Sequence, residues 1–354
     1  MLSAKNTLHI IDTLWLGGAQ TVLKGLFENN AGKKNMHLFA LRNTREKTVI
    51  GHPNIVINSS SFKLSFPIHK IRKLIKEKNI EIVHCHLPKS QLMGLLLSFL
   101  NPGIKLVFHE QGDIIDPVPL NLPVYILGKK RISQVIACSN LVKEELSKKT
   151  GFPAKNINVI YNYVNFKASG KSENHKQGKF KIGFAGRLIK RKGWRDFISV
   201  MHLLKSTDKE FEIHLAGDGP DYKEMQHSIE ENELTGIFNY HGFVKNMAGF
   251  YKEIDLLVVP SHWEPMGMVH VEAMAFGVPV IASDVPGMNE VLSNRENCLL
   301  FEPGKPEMIK ERILEIIAND ELRKNIIEKG QETAGTFSLE YFEEELGKAY
   351  EKLF

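Results

Sequence analysis

Two glutamates eight positions apart, Glu264 and Glu272, stand in the segment Val-Pro-Ser-His-Trp-Glu-Pro-Met-Gly-Met-Val-His-Val-Glu-Ala-Met-Ala-Phe-Gly-Val-Pro-Val-Ile-Ala, residues 259–282. A strand pattern ends at Pro260, a loop carries Glu264, Pro265 and Met266, and Gly267 with Met268 opens a helix that closes at Gly277. A helix start offers backbone N–H groups and a positive dipole end, which suit phosphate oxygens. The two carboxylates cannot serve the same anion, because like charges repel. They suit the hydroxyl groups of a sugar or a ribose, which donate to them. The plainer reading is a dipole partner plus a solvated helix residue.

A second segment supplies the opposite charge. Phe-Ala-Gly-Arg-Leu-Ile-Lys-Arg-Lys-Gly-Trp, residues 184–194, follows another apolar strand. Arg187 and Lys192 fall in its strand-to-helix loop, where two cations could neutralise a departing diphosphate without a metal. Lys190 and Arg191 read as solvated neighbours, and a basic surface loop is the competing explanation for all four. No Asp-x-Asp pair is present, and Asp218 and Asp221 are wrongly spaced for one. His84-Cys85-His86 would place two imidazoles on one strand face, but the sequence offers no third or fourth ligand, so no metal is expected.

These loops need strands and helices to hold them. Short apolar runs over 8–12, 80–85, 105–108 and 134–138 alternate with helical patterns, and the rhythm restarts after residue 160 with runs over 179–185, 211–216, 239–243, 255–259 and 278–282. Continuous Val/Ile-rich strands between helices predict parallel sheets covered on both faces. Two such sets predict an α/β chain of two doubly wound, Rossmann-like domains, 1–165 and 166–337, joined near the polar stretch 162–177. Ligands of open parallel sheets bind beyond the carboxyl ends of the strands, where both charged loops fall. In the tail 338–354, Leu339, Phe342, Leu346, Tyr350 and Leu353 recur at helical spacing, which predicts an amphipathic helix expected to return to the first domain.

Bulk composition agrees with such a molecule. The 354 residues are 43% apolar and 25% charged, which excludes a disordered chain or a fibre. Three cysteines are too few for a disulfide framework and fit a reducing compartment. The longest apolar stretch, 92–100, is about half the ~20 residues needed to cross a bilayer, and no secretory signal opens the chain. A cytoplasmic protein is expected. The net charge of +5 is unevenly spread: residues 1–160 hold 22 Lys and Arg against 10 Asp and Glu. That bias points to an anionic partner for the first half.

Taken together, the motifs resemble the retaining GT-B glycosyltransferases of family 4 over nearly the whole chain. The family's Glu-x7-Glu motif is matched by Glu264 and Glu272, with Pro265, Gly267 and the following Gly277-Val-Pro-Val-Ile in place. Its Gly-Arg-Leu-x-x-x-Lys-Gly segment is matched by Gly186 to Gly193. Ala216-Gly-Asp-Gly-Pro220 and His241-Gly-Phe243 are similar to its inner strand ends. Gly17-Gly18-Ala19-Gln20 resembles the glycine-rich first loop, although Gln20 stands where the family usually has Glu.

The resemblance implies a nucleotide-sugar donor held mainly by the second domain. Glu272 would hold the ribose and Glu264 the transferred sugar. Arg187, Lys192 and the backbone around Gly186, Gly267 and Met268 would hold the diphosphate. Phe243 and Val244 would border the base, and Gly17 and Gly18 would approach the donor from the first domain. His109, near the end of a strand, matches the family histidine that faces the sugar. No cofactor or metal is implied. The acceptor would be a glycan or lipid-linked glycan, and the basic half would touch an anionic membrane at the inner face of the cell through 66–78 and the stretch 117–131. Against this stand a soluble acceptor, a nucleotide-sugar epimerase and a non-catalytic sugar-nucleotide module. Nucleic acid is not expected, because no recognition motif accompanies the charge.

Overall fold

The computed structural model describes residues 4–14, 17–43, 50–58, 67–112, 122–164, 178–207 and 209–354. The polar connection expected over 162–177 lies mostly outside these residues, as do Phe66 and the first part of the 117–131 stretch. The chain forms two compact units, one of Met1–Tyr163 with Leu339–Phe354 and one of Val164–Ser338.

In the first unit seven strands form one parallel sheet: β1 (Thr7–Thr13), β2 (Met36–Arg42), β3 (Ile55–Ile57), β4 (Ile82–His86), β5 (Lys105–Glu110), β6 (Ile132–Ala137) and β7 (Ile157–Val159), in the order β3-β2-β1-β4-β5-β6-β7. The helices between them are α1 (Gly18–Asn29), α2 (Ile68–Glu77), α3 (Pro88–Leu100), α4 (Leu122–Gly128) and α5 (Asn140–Thr150). Strands buried on both faces need apolar residues, and β4 and β5 supply them except at the histidines, the leading Lys105 and the buried Glu110. Ile71 and Ile75 of α2 are buried, so that helix packs inward by its apolar side and leaves its cations outside.

The second unit repeats the scheme with β8 (Phe180–Ala185), β9 (Phe211–Ala216), β10 (Phe238–Gly242), β11 (Leu256–Val259), β12 (Val280–Ser283) and β13 (Leu299–Phe301), again parallel, in the order β10-β9-β8-β11-β12-β13. Its helices are α6 (Trp194–Leu204), α7 (Tyr222–Glu231), α8 (Met247–Glu253), α9 (Val269–Ala275), α10 (Pro306–Ala318) and α11 (Asp320–Gly335). The last helix, α12 (Leu339–Glu351), belongs to the first unit, where Phe342, Leu346, Ala349 and Tyr350 complete the core built by α1 and the central strands.

In both units the chain order reverses beside the first strand, between β1 and β4 and between β8 and β11. The crossover loops diverge at such a switch point and leave room for a ligand at the carboxyl edge.

Candidate active site

The loops after β8 and β11 meet at the carboxyl edge of the second sheet. Gly193 lets them do so. It takes φ 70°, closes the turn carrying Lys192 and starts α6, and a Cβ at this position would strike the Pro260 carbonyl oxygen. Only glycine tolerates both the left-handed backbone and that approach. Lys192 Nζ thereby forms an ion pair with Glu264 Oε1, which also accepts a 2.9 Å hydrogen bond from Ser261 Oγ.

Glu264 is 3% exposed. Burial alone would raise its carboxyl, but the Lys192 charge and the hydrogen bonds from Lys192 and Ser261 outweigh it and hold the group below the usual range. Gly267, at φ 78°, folds the loop back onto α9, and a Cβ there would sit 2.9 Å from the His270 ring. His270 is fully enclosed beside this pair, and burial lowers it to about 4. It is therefore neutral at pH 7 and adds no charge next to Lys192.

Glu272 lies further along α9. Tyr251 donates a 2.7 Å hydrogen bond to its Oε2, while burial raises the carboxyl. Arg187 is exposed in the same loop as Lys192. The neighbouring loops align along this edge: Gly186 N donates to the Ala216 carbonyl at 3.0 Å, and Gly217 N to the Gly242 carbonyl at 2.8 Å. Phe243, 49% exposed, and the half-buried Val244 follow directly. The loop of Pro265, Met266 and Met268 packs inward, with Met266 buried. The second unit thus joins Lys192, Glu264, Ser261 and His270 in one contact network and sets Arg187, Gly186, Phe243 and Val244 on the same sheet edge.

In the first unit Gly17 and Gly18 start α1, and Gln20 turns inward to donate to the Thr13 carbonyl at 3.1 Å. His109 does not stand free at its strand end. It is 2% exposed, stacked on His84 at 5.4 Å between ring centroids and on Phe342 at 6.3 Å, with both ring nitrogens unpartnered. The ring thus lies between His84 and Phe342 of α12. The third and fourth imidazoles missing from the sequence reading also appear here. His9 and His109 join His84 and His86 on one face of β1, β4 and β5, and nitrogens of His9, His84 and His86 lie within 4.8 Å of one another. These rings pack against one another, with His9 Nδ1 3.0 Å from His86 Nε2 and the Tyr350 hydroxyl 2.6 Å from His84 Nδ1.

Three groups at the functional edges escaped the sequence reading. Gln111, just past β5, brings its Oε1 to 3.9 Å from where a Gly18 Cβ would stand, and its Nε2 is buried without a partner. Asp12 accepts from Ser90 N at 2.6 Å and Lys89 N at 3.2 Å, and burial raises it to about 6. His270 is the third. The usable signal was position: Gln111 and Asp12 sit at or just beyond the carboxyl ends of central strands, and His270 falls between the two acids.

Two doubly wound parallel units of this kind constitute the GT-B fold. The Anabaena protein HepE, solved in complex with UDP-glucose, superposes with a TM-score of 0.85 over 98% of this chain and 99% of its own, at 22% identity. The family model for glycosyl transferases group 1 matches residues 165–333, and that for glycosyltransferase family 4 matches residues 17–167. An uncharacterised glycosyltransferase of Methanocaldococcus jannaschii is 32% identical over 80% of this chain and 79% of its own length. The capsular polysaccharide biosynthesis glycosyltransferase CapM of Staphylococcus aureus is 26% identical over 78% and 77%. The chain belongs to the family 4, group 1 glycosyltransferases.

Proposed function

We propose that this glycosyltransferase moves a hexose from a nucleotide-sugar to a glycan or lipid-linked glycan acceptor in cell-surface polysaccharide synthesis, at the cytoplasmic face of the membrane, with retention of configuration and without a metal. The observation that carries the reading is the Lys192–Glu264 pair beside Arg187 at the edge of the second sheet. It sets cations where a diphosphate leaves and a carboxylate where sugar hydroxyls would donate. Glu272 takes the ribose hydroxyls, and Phe243 and Val244 border the base. The similarity to CapM supports a polysaccharide acceptor.

In the step itself the anomeric carbon–oxygen bond to the diphosphate breaks. The acceptor oxygen bonds to the same face of that carbon, and its proton passes to the leaving phosphate oxygen. Arg187 and Lys192 stabilise the charge on the departing diphosphate. They act where the charge develops, which is usually the largest single catalytic contribution.

Thermal stabilisation across UDP-, GDP-, ADP- and CMP-sugars tests the donor site. One nucleotide family is expected to raise the melting temperature, and Glu272→Ala and Lys192→Ala to abolish the rise. A shift that survives both substitutions would move the donor elsewhere. Isomerised sugar formed without an acceptor would replace transfer by epimerisation.

A further inference from the structure

Among the described residues, the first unit leaves an apolar corner uncovered. On α3, Leu96, Phe99 and Leu100 are exposed and, three or four residues apart, share one side of the helix. Ile126 and Leu127, in the last turn of α4, are exposed too, Leu127 at 76%. These are five of the ten exposed large apolar side chains among the described residues, so the exposure is concentrated rather than scattered. The elements touch each other there: the Arg131 guanidinium lies 5.0 Å from the Phe99 ring centre, and Arg72 of α2 reaches the Leu100 carbonyl at 3.5 Å.

The rim of this corner is basic. Segments 67–78, 88–101 and 122–131 hold nine Lys or Arg and a single acid, Glu77, which lies 3.6 Å from Lys73. On the Arg72 side a depression is lined by His69, Arg72, Lys73, Lys76 and Glu77. A second copy of the chain meeting this face symmetrically would set cations against cations. An anionic bilayer supplies the opposite charge and an apolar interior together.

We propose that this corner docks the first unit on an anionic lipid bilayer. Phe99, Leu100, Ile126 and Leu127 enter the acyl boundary, while Arg72, Lys73 and the Lys129–Arg131 run meet lipid phosphates. Among the described residues no helix is long and apolar enough to cross a membrane, so the contact is interfacial. The inference rests on the reading of a lipid-linked acceptor and deepens it, by assigning the surface that carries the enzyme to such an acceptor.

Cosedimentation of the full chain with vesicles tests it, using phosphatidylcholine alone and phosphatidylcholine mixed with phosphatidylglycerol, each at low and high salt. Binding is expected to the mixed vesicles only and to weaken with salt. The Phe99→Ser/Leu127→Ser variant, changed at two exposed positions, should bind about tenfold less, as should Lys129→Glu/Lys130→Glu. The donor-induced thermal shift, measured on the same samples, should persist in both variants. Wild-type protein indifferent to anionic lipid, or variants that bind as well as wild type, would overturn the proposal. So would a change from dimer to monomer in the apolar variant with vesicle binding untouched, which would make a second copy the occupant. Vesicle binding without any donor response would instead remove the transferase reading and leave the docking surface standing.

Discussion

Lys192 and Glu264 hold each other in a site that excludes most water, with side chains 20% and 4% exposed. Removing the cation would strand a buried carboxylate that keeps only Ser261, whereas removing the carboxylate's charge leaves an amide that still accepts. The two substitutions should therefore separate stability from chemistry. Lys192→Met is expected to lose about 3–5 kcal/mol of stability in urea unfolding, and Glu264→Gln about 1 kcal/mol or less, with sugar transfer lost in both. A Lys192→Met variant as stable as wild type would show that the pair is not closed in solution. The acids and cations of this network were legible because charge at a strand-to-helix loop has few structural uses. His270 was not, because a histidine between two acids reads equally well as core filling, and only its contact with Gly267 and the charged pair shows where it lies.

Elements decide where those residues point, and Gly193 shows how. Its φ of 70° and its approach to the Pro260 carbonyl join the turn before α6 to the end of β11. Gly193→Ala is expected to cost about 1–3 kcal/mol from the backbone conformation alone and to pull Lys192 away from Glu264. A lowered urea midpoint together with a lost donor-induced thermal shift would bear this out, and a variant with both intact would place the strain elsewhere. The strands that hold these loops were readable as apolar runs, and residues 211–216 match β9 end to end. The strands that went unread had weaker marks. β3, β7 and β13 are three residues long, too short for any period to register. β2 has only Leu38–Leu41 as an unbroken apolar run, between His37 and Arg42, next to a stretch rich in Lys and Arg. The return of the tail helix to the first unit was legible from its period, but that it packs Phe342 and Tyr350 onto the imidazoles of β4 and β5 was not.

At the scale of the whole molecule, the two units differ in what acid does to them. In the first, His9, His84, His86 and His109 are packed against one another and against Phe27, Phe342 and Tyr350. Burial lowers His9 to about 3 and His109 to about 4, and it holds His84 and His86 well below their ordinary value. All four are neutral in the folded unit at pH 7, while in the unfolded chain they take up protons near pH 6.5. Between those values the unfolded state binds more protons, so stability rises with pH. It is fully present above about pH 6.5 and is lost as the pH falls toward 4, at about 1.4 kcal/mol per pH unit for each such group. In the second unit the lowered histidines are His270, at about 4, and the buried His214 of β9, two groups against four. Acid should therefore loosen the first unit more. In hydrogen exchange at pH 7.5 and pH 5, corrected for intrinsic rates, peptides of β4, β5 and α12 are expected to lose more protection than those of β11 and β12. Equal losses in the two sets would mean that the four imidazoles do not stay neutral together, and that one of them already carries its proton in the folded unit.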